Sequence, residues 1–315
     1  MPSLLEQAIG ALNGAVGDYL ARTGNGLATE MSLVDGNRPV SPDARSLSEA
    51  FPDATPKIVV LAHGLMCSED IWAFADGGDY GQFLRRDLGF TPLYLRYNSG
   101  LSIPENGLLL SSLLDEVVTH FPVPIEQIVL LGYSMGGLVV RSACHVAKLA
   151  DRPWLKRVDR ALYVGTPHLG APLERAGRVL SKLLNSVDDP YTRLAFNLAE
   201  LRSDGIKDLG DADVRHEDRA RRVPTFSLRD PQHPVPLLDE FPHFLVAGSR
   251  FDDRWTKTFF GDLVVTLPSA TDGRWHHDAA HPIDGVAFVD RVNHVALAHD
   301  PRVYDHLLRF CGPGP

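Results

Sequence analysis

Two periods of hydrophobic and polar positions run along this chain. Leu5, Ala8, Ile9, Leu12, Val16, Tyr19 and Leu20 recur at helical spacing and predict an amphipathic opening helix that packs on the body of the protein. Asn25-Gly26 and Asp35-Gly36 flank 27–34, which predicts an opening edge strand, and 38–56 is rich in Pro, Ser and Asp and predicts a loop. Lys57-Ile58-Val59-Val60-Leu61-Ala62 is apolar on both faces, as a central strand of a parallel sheet has to be. A short helix over 80–88, a strand over 91–97 and a helix over 104–121 follow. The last is read from Leu108, Leu109, Leu113, Val117 and Val118. Ile128 to Leu131 is another apolar run, a helical pattern extends from there to about Ala150, and 157–165 predicts the next strand. Strands alternating with helices in this way imply βαβ units and an open, mostly parallel sheet.

From Leu173 the rhythm breaks. Leu173, Ala176, Val179, Leu180, Leu183, Leu184 and Val187 form one helical stripe, and Tyr191, Leu194, Ala195, Leu198 and Leu201 a second. A charged stretch (207–222) and a proline-dotted one follow, and strand character returns only at 244–248. The segment 261–265 comes next, then a His-rich loop, a last strand over 285–292, and a terminal helix over 301–310. The reading is of an N-terminal helix, edge strand and loop (1–56), a core formed by 57–172 with 241–315, and a helical cap or lid inserted at 173–240. The cap's apolar stripes are expected to line the rim of the site.

One junction carries chemistry. In Gly132-Tyr133-Ser134-Met135-Gly136-Gly137 an apolar strand ends at a glycine, presents a serine and passes directly into a helix. G-x-S-x-G in that setting is the nucleophile-elbow pattern, in which glycines admit a sharp turn and the following helix aims its free N–H groups at a nascent anion. Serine is a poor nucleophile without a general base, and histidine suits that role near neutral pH. The expected chain order is Ser, acid, His. Among His216, His233, His243, His276, His277, His281, His294 and His299, only His294 falls between a last strand and a terminal helix, with His299 one turn away as the fallback. Asp262 stands upstream of it and downstream of a strand; Asp252, Asp253, Asp272 and Asp284 compete by position. The oxyanion donors are expected to be the backbone N–H groups of Met135, directly after the serine, and of Leu65, in the His63-Gly64 turn after the first long strand. His276, His277, Asp278 and His281 cluster in sequence, but neither paired cysteines nor rigid helical spacing supports a metal site there.

Composition narrows the field. A formal net charge of −9 argues against non-specific binding to nucleic acid or to an anionic membrane. Three scattered cysteines (Cys67, Cys144, Cys311) form neither a zinc pattern nor a disulfide framework and suit a reducing compartment. No Lys or Arg precedes Arg22 and no apolar run approaches transmembrane length, so no targeting peptide or stable membrane insertion is expected and the location is read as cytoplasmic.

The motifs Ala62-His63-Gly64-Leu65, Gly132 to Gly137 and Gly165-Thr166-Pro167-His168-Leu169-Gly170-Ala171-Pro172 together resemble the α/β-hydrolase superfamily, and within it the bacterial lipase/esterase branch related to inositol-deacylase-like proteins. That resemblance implies an α/β-hydrolase fold, a mostly parallel central sheet flanked by helices with a helical cap inserted before the acid-bearing segment. It implies Ser134 as nucleophile, Asp262 as acid, His294 as base, Leu65 and Met135 as oxyanion-hole residues, and no cofactor. The substrate implied is a small-molecule or lipid-like carboxylic ester. Acyl transfer by the same triad, or a non-catalytic apolar-ligand-binding protein of the same fold, are the alternatives. Two departures stand out. Leu263 replaces the glycine that follows the acid in that branch, and Ala296 stands where calcium-dependent relatives carry an aspartate, so no such calcium site is expected.

Overall fold

The structure, a computed structural model, describes residues 4–170, 203–217, 236–250, 262, 265–272 and 283–312. Its centre is an eight-stranded sheet: β1 (Ser32–Asp35), β2 (Arg38–Val40), β3 (Lys57–Ala62), β4 (Thr91–Arg96), β5 (Gln127–Tyr133), β6 (Val158–Val164), β7 (His243–Ser249) and β8 (Ile283–Asp290), in the order β2-β1-β4-β3-β5-β6-β7-β8. From β4 to β8 every neighbouring pair is parallel, and β1 joins antiparallel to both β2 and β4. The helices are α1 (Leu4–Arg22), α2 (Ala44–Ala50), α3 (Tyr80–Leu88), α4 (Ile103–His120), α5 (Met135–Leu149), α6 (Asp204–Asp211), α7 (Leu267–Ala270) and α8 (Pro301–Cys311).

The apolar runs divide as strand geometry requires. Ile58, Val60 and Ala62 of β3 and Ile128 and Leu130 of β5 join the core on the α4–α5 face. Val59 and Leu61, with Val129, Leu131 and Tyr133, join the core under α3 and α8. A sheet covered on both faces leaves only the ends of its strands open to solvent, and the loops after β3, β5, β7 and β8 all emerge at the carboxyl ends. The chain leaves β3 toward β4 on one side and β5 toward β6 on the other, so a crevice opens between the β3 and β5 ends.

Three readings are corrected. The stretch 38–56 is not a loop throughout: it contains β2, and α2 capped by Asp43, whose carboxylate accepts from the Arg45 and Ser46 amides. The charged stretch from 207 hides the end of α6, which buries Ile206, Asp208 and Leu209; Asp208 Oδ2 accepts from the Ile103 N–H at 2.8 Å. On α4 the buried face is Ile103, Leu110, Leu113, Leu114 and Val117, while Leu108 and Leu109 are exposed. Three consecutive leucines leave the phase of a helix ambiguous, and packing against α5 resolves it. The two apolar stripes between 173 and 201 lie outside the described residues. Among the described residues no helix is long and apolar enough to cross a membrane.

Leu110 is fully buried and Leu108 is 45 % exposed. Leu110→Ala is therefore expected to lower the unfolding free energy by about 2–5 kcal/mol. Leu108→Ala should change it by no more than about 0.5 kcal/mol. Urea denaturation midpoints of the two variants test the phase of α4 directly.

Candidate active site

Ser134 joins β5 to α5 with φ 52 and ψ −124. Its N–H donates to Val164 O at the end of β6, 2.9 Å away, and its own carbonyl accepts from the Gly137 N–H at 3.1 Å. The flanking glycines are required by close approach rather than by positive φ. A Cβ on Gly132 would stand 2.4 Å from Gly137 Cα, and one on Gly136 would stand 2.2 Å from Ala62 O. Any side chain at either position would push α5 off β3 and β5. The turn thus holds a mostly buried serine, 6 % exposed, at the mouth of the crevice.

The other two residues of the expected triad come to it. His294 follows β8 at the start of the short 3-10 turn Val295–His299, and Asp262 lies in the segment after β7. The Ser134 hydroxyl lies 2.8 Å from His294 Nε2, and His294 Nδ1 lies 2.7 Å from Asp262 Oδ2. A carboxylate opposite Nδ1 holds the proton on that nitrogen, which leaves Nε2 as the acceptor facing the serine. The second carboxylate oxygen of Asp262 accepts from the Val265 N–H at 2.9 Å, and the His294 N–H donates to Asp262 O at 3.3 Å. Asp262 is 1 % and His294 5 % exposed, so the ion-dipole contacts act in a poorly solvated site. Leu263 itself lies outside the described residues.

The competitors among the described residues stand elsewhere. His299 Nδ1 bonds to Ile71 O at 3.1 Å, and its ring meets the edge of Phe74. His243 sits between the Tyr163 hydroxyl, 3.1 Å, and Leu238 O, 2.8 Å. His216 is exposed, and Asp272 lies beyond α7. Asp252, Asp253, His233, His276, His277, Asp278 and His281 lie outside the described residues, and the side chain of Asp284 does also. Among the described residues no group of three or more His, Cys, Asp or Glu could hold a metal ion.

The proposed oxyanion donors flank the serine. Met135 opens α5, so its N–H lies outside the bonding pattern of that helix. Gly64 lies against the serine, close enough that a Cβ there would meet Ser134 Cβ at 3.1 Å, and the next amide is that of Leu65. The Leu65 N–H donates to no acceptor among the described residues.

Tyr133, Arg141 and His168 have parts near the site that the sequence did not announce. Tyr133, buried beside the serine, donates its hydroxyl to His294 O at 3.0 Å and packs its ring against the imidazole, so the residue before the nucleophile clamps the base. Burial and neighbouring acidic groups hold the phenol far above its ordinary pKa, and it stays a donor. A large aromatic side chain inside the elbow was the available signal. The Gly-Thr-Pro-His turn also has a part: Arg141 of α5 donates to His168 Nδ1 at 2.9 Å, while the His168 N–H donates to Ser269 O of α7 at 3.0 Å. That turn ties the helix carrying Ser134 to the segment just beyond Asp262.

His63 is fully buried, its Nδ1 facing Gly64 O at 2.9 Å. Burial pushes its pKa down to about 4. Unfolded, it takes up a proton near pH 6.5; folded, it resists protonation until about pH 4. Between those values the unfolded chain binds more protons, so stability is lost as pH falls through this window, by about 3 kcal/mol in all. His63→Phe retains a ring on Tyr97 with nothing to protonate. Its unfolding free energy should fall less between pH 7 and about pH 4 than that of the wild type, as urea titrations at several pH values will measure.

Comparisons with known proteins bear on the fold. No family model matches the chain, and no curated protein matches it. The Bacillus licheniformis lipase BlEst2 in its propeptide form is similar in structure, at 15 % identity and a TM-score of 0.51, over 82 % of this chain and 51 % of that one. The chain thus spans about half the length of that structure. The mature form of the same lipase is 20 % identical with a TM-score of 0.49, over 80 % of this chain and 91 % of that one. The Pyrococcus furiosus esterase PF2001 is 15 % identical with a TM-score of 0.47, over 82 % of this chain and 83 % of that one. At 15 % identity the likeness to the propeptide form carries the fold and nothing finer. With the sheet order it gives the chain the α/β-hydrolase fold, and it does not single out the inositol-deacylase-like branch.

Proposed function

We propose that this protein is a serine hydrolase that cleaves carboxylic esters through an acyl-enzyme. The observation that carries the reading is the unbroken hydrogen-bonded chain from Asp262 through His294 to Ser134 at the carboxyl ends of three strands. A protein of this fold that merely held an apolar ligand would need neither of those bonds, nor a serine at positive φ.

The chemistry follows from the geometry. Ser134 Oγ attacks the acyl carbonyl as its proton passes to His294 Nε2, 2.8 Å away. The imidazolium that forms is stabilised by Asp262, whose other oxygen is anchored on Val265. Charge developing on the carbonyl oxygen is taken up by the Leu65 and Met135 N–H groups, reinforced by the N-terminus of α5. Collapse expels the alcohol, which leaves with the proton from Nε2. Water, deprotonated by the same nitrogen, then attacks the acyl-enzyme and releases the acid and free Ser134. An alcohol in place of that water would make the reaction an acyl transfer, and nothing in the site favours one over the other. The apolar stripes read in the sequence between 173 and 201 are a candidate source of an acyl-binding surface.

Ser134→Ala and Asp262→Asn are the test. With p-nitrophenyl acetate as substrate, Ser134→Ala should abolish acyl-enzyme turnover. Asp262→Asn should keep the fold and lower kcat by about 10³–10⁴-fold through the wrong imidazole tautomer. Activity that survives Asp262→Asn would rule out this aspartate as the acid.

A further inference from the structure

The bonds on either side of Leu65 have a common origin in the loop after β4. Tyr97 donates its hydroxyl to His63 O at 2.7 Å, and its ring stacks on the His63 imidazole with centroids 4.2 Å apart. Ser99 Oγ accepts from the Met66 N–H at 2.9 Å. The carbonyl two residues before Leu65 and the amide one residue after it are therefore both held by Tyr97-Asn98-Ser99. Every one of these groups is buried, Ser99 at 1 % and Tyr97 at 2 % exposure.

The turn they hold is a strained one. The Cys67 N–H donates to Gly64 O at 3.3 Å, which closes a four-residue turn, and Met66 within it has φ 58. A methionine does not adopt that backbone without constraint. The constraint is completed from the far side by α1. Gly14 approaches so closely that a Cβ on it would stand 2.1 Å from Met66 Cγ and 2.7 Å from Met66 Cα. One turn on, Gly17 O accepts from Asn98 Nδ2 at 2.9 Å. The helix is itself tied down, Gly14 O accepting from Ser203 Oγ at 2.7 Å and Glu6 pairing with Arg96 at 3.4 Å.

We propose that Ser99, with Tyr97 and the glycine-lined face of α1 behind it, is a positioning residue for the oxyanion donor Leu65. The proposal rests on the esterase reading above. Ser99 gives the Met66 N–H its acceptor and so keeps the Leu65–Met66 peptide in the orientation that positive φ at Met66 requires. Without the hydroxyl a buried N–H is left unpaired. The turn relaxes by rotating that peptide, and the adjoining Leu65 amide moves away from the place where the oxyanion forms. A loss of this kind acts on the transition state and spares ground-state binding.

The experiment compares wild type, Ser99→Ala and Ser99→Thr on p-nitrophenyl acetate and on a trifluoromethyl ketone. In the ketone complex Ser134 Oγ adds to the carbonyl carbon, its proton goes to His294, and the ketone oxygen becomes an oxyanion. Ser99→Ala should lower kcat by about 10–100-fold with KM within about twofold, less than the full loss of an oxyanion donor. It should weaken the ketone by the same factor, and Ser99→Thr, which keeps the hydroxyl, should restore both. Should Ser99→Ala fail to fold, Tyr97→Phe keeps the ring stack, removes the bond to His63 O and carries the same expectation. Ketone affinity unchanged in a folded variant overturns the proposal alone, whatever happens to kcat. A folded wild type that neither cleaves the ester nor binds the ketone overturns the esterase reading, and the proposal falls with it.

Discussion

Ser134 occupies a backbone conformation, φ 52 and ψ −124, that an L residue adopts only under constraint. Such a conformation costs on the order of 1–3 kcal/mol, and it persists because the surroundings over-determine it. β6 takes the serine's N–H through Val164 O, and the flanking glycines let α5 lie against β3 and β5 at backbone distance. Release of any of these restraints would let the turn open. With the turn closed, the hydroxyl, the first amide of α5 and the turn after β3 converge on one spot.

The rest of the molecule holds the partners of that serine in place. Parallel strands buried on both faces form a rigid floor, and the ends of β3, β5, β7 and β8 deliver Leu65, Ser134, Asp262 and His294 from four separate parts of the chain. Each is then locked by a neighbour rather than left to its own rotamer. Tyr133 holds the backbone of His294, Val265 holds the carboxylate, and Tyr97 and Ser99 hold the turn that carries Leu65. Imidazole and carboxylate are nearly excluded from water, so their contacts need no solvent reorganisation as charge moves.

What could be read from the residues alone was what is local. Runs apolar on both faces announced β3 and β5, and Gly132-x-Ser134-x-Gly136 between strand and helix announced the turn, because the reason for those glycines lies within a few residues of them. The order Ser, acid, His narrowed the triad to a short set of candidates, but the choice of Asp262 over its competitors needed the family resemblance. Contacts between distant segments stayed hidden. Ser99 and Met66 are 33 residues apart, Tyr133 and His294 are 161 apart, and nothing in a hydrophobic pattern records such pairs. The burial of α6 beneath its charges and the phase of Leu108 to Leu110 on α4 were likewise decided by what those helices pack against.

Labelling of the folded wild type by a fluorophosphonate decides whether the strained Ser134 is an activated nucleophile. One adduct is expected, mapped by peptide mass spectrometry to Ser134, formed fast in the native protein and lost in His294→Ala and in urea. A folded wild type that stays unlabelled, or an adduct carried by any other residue, would contradict it.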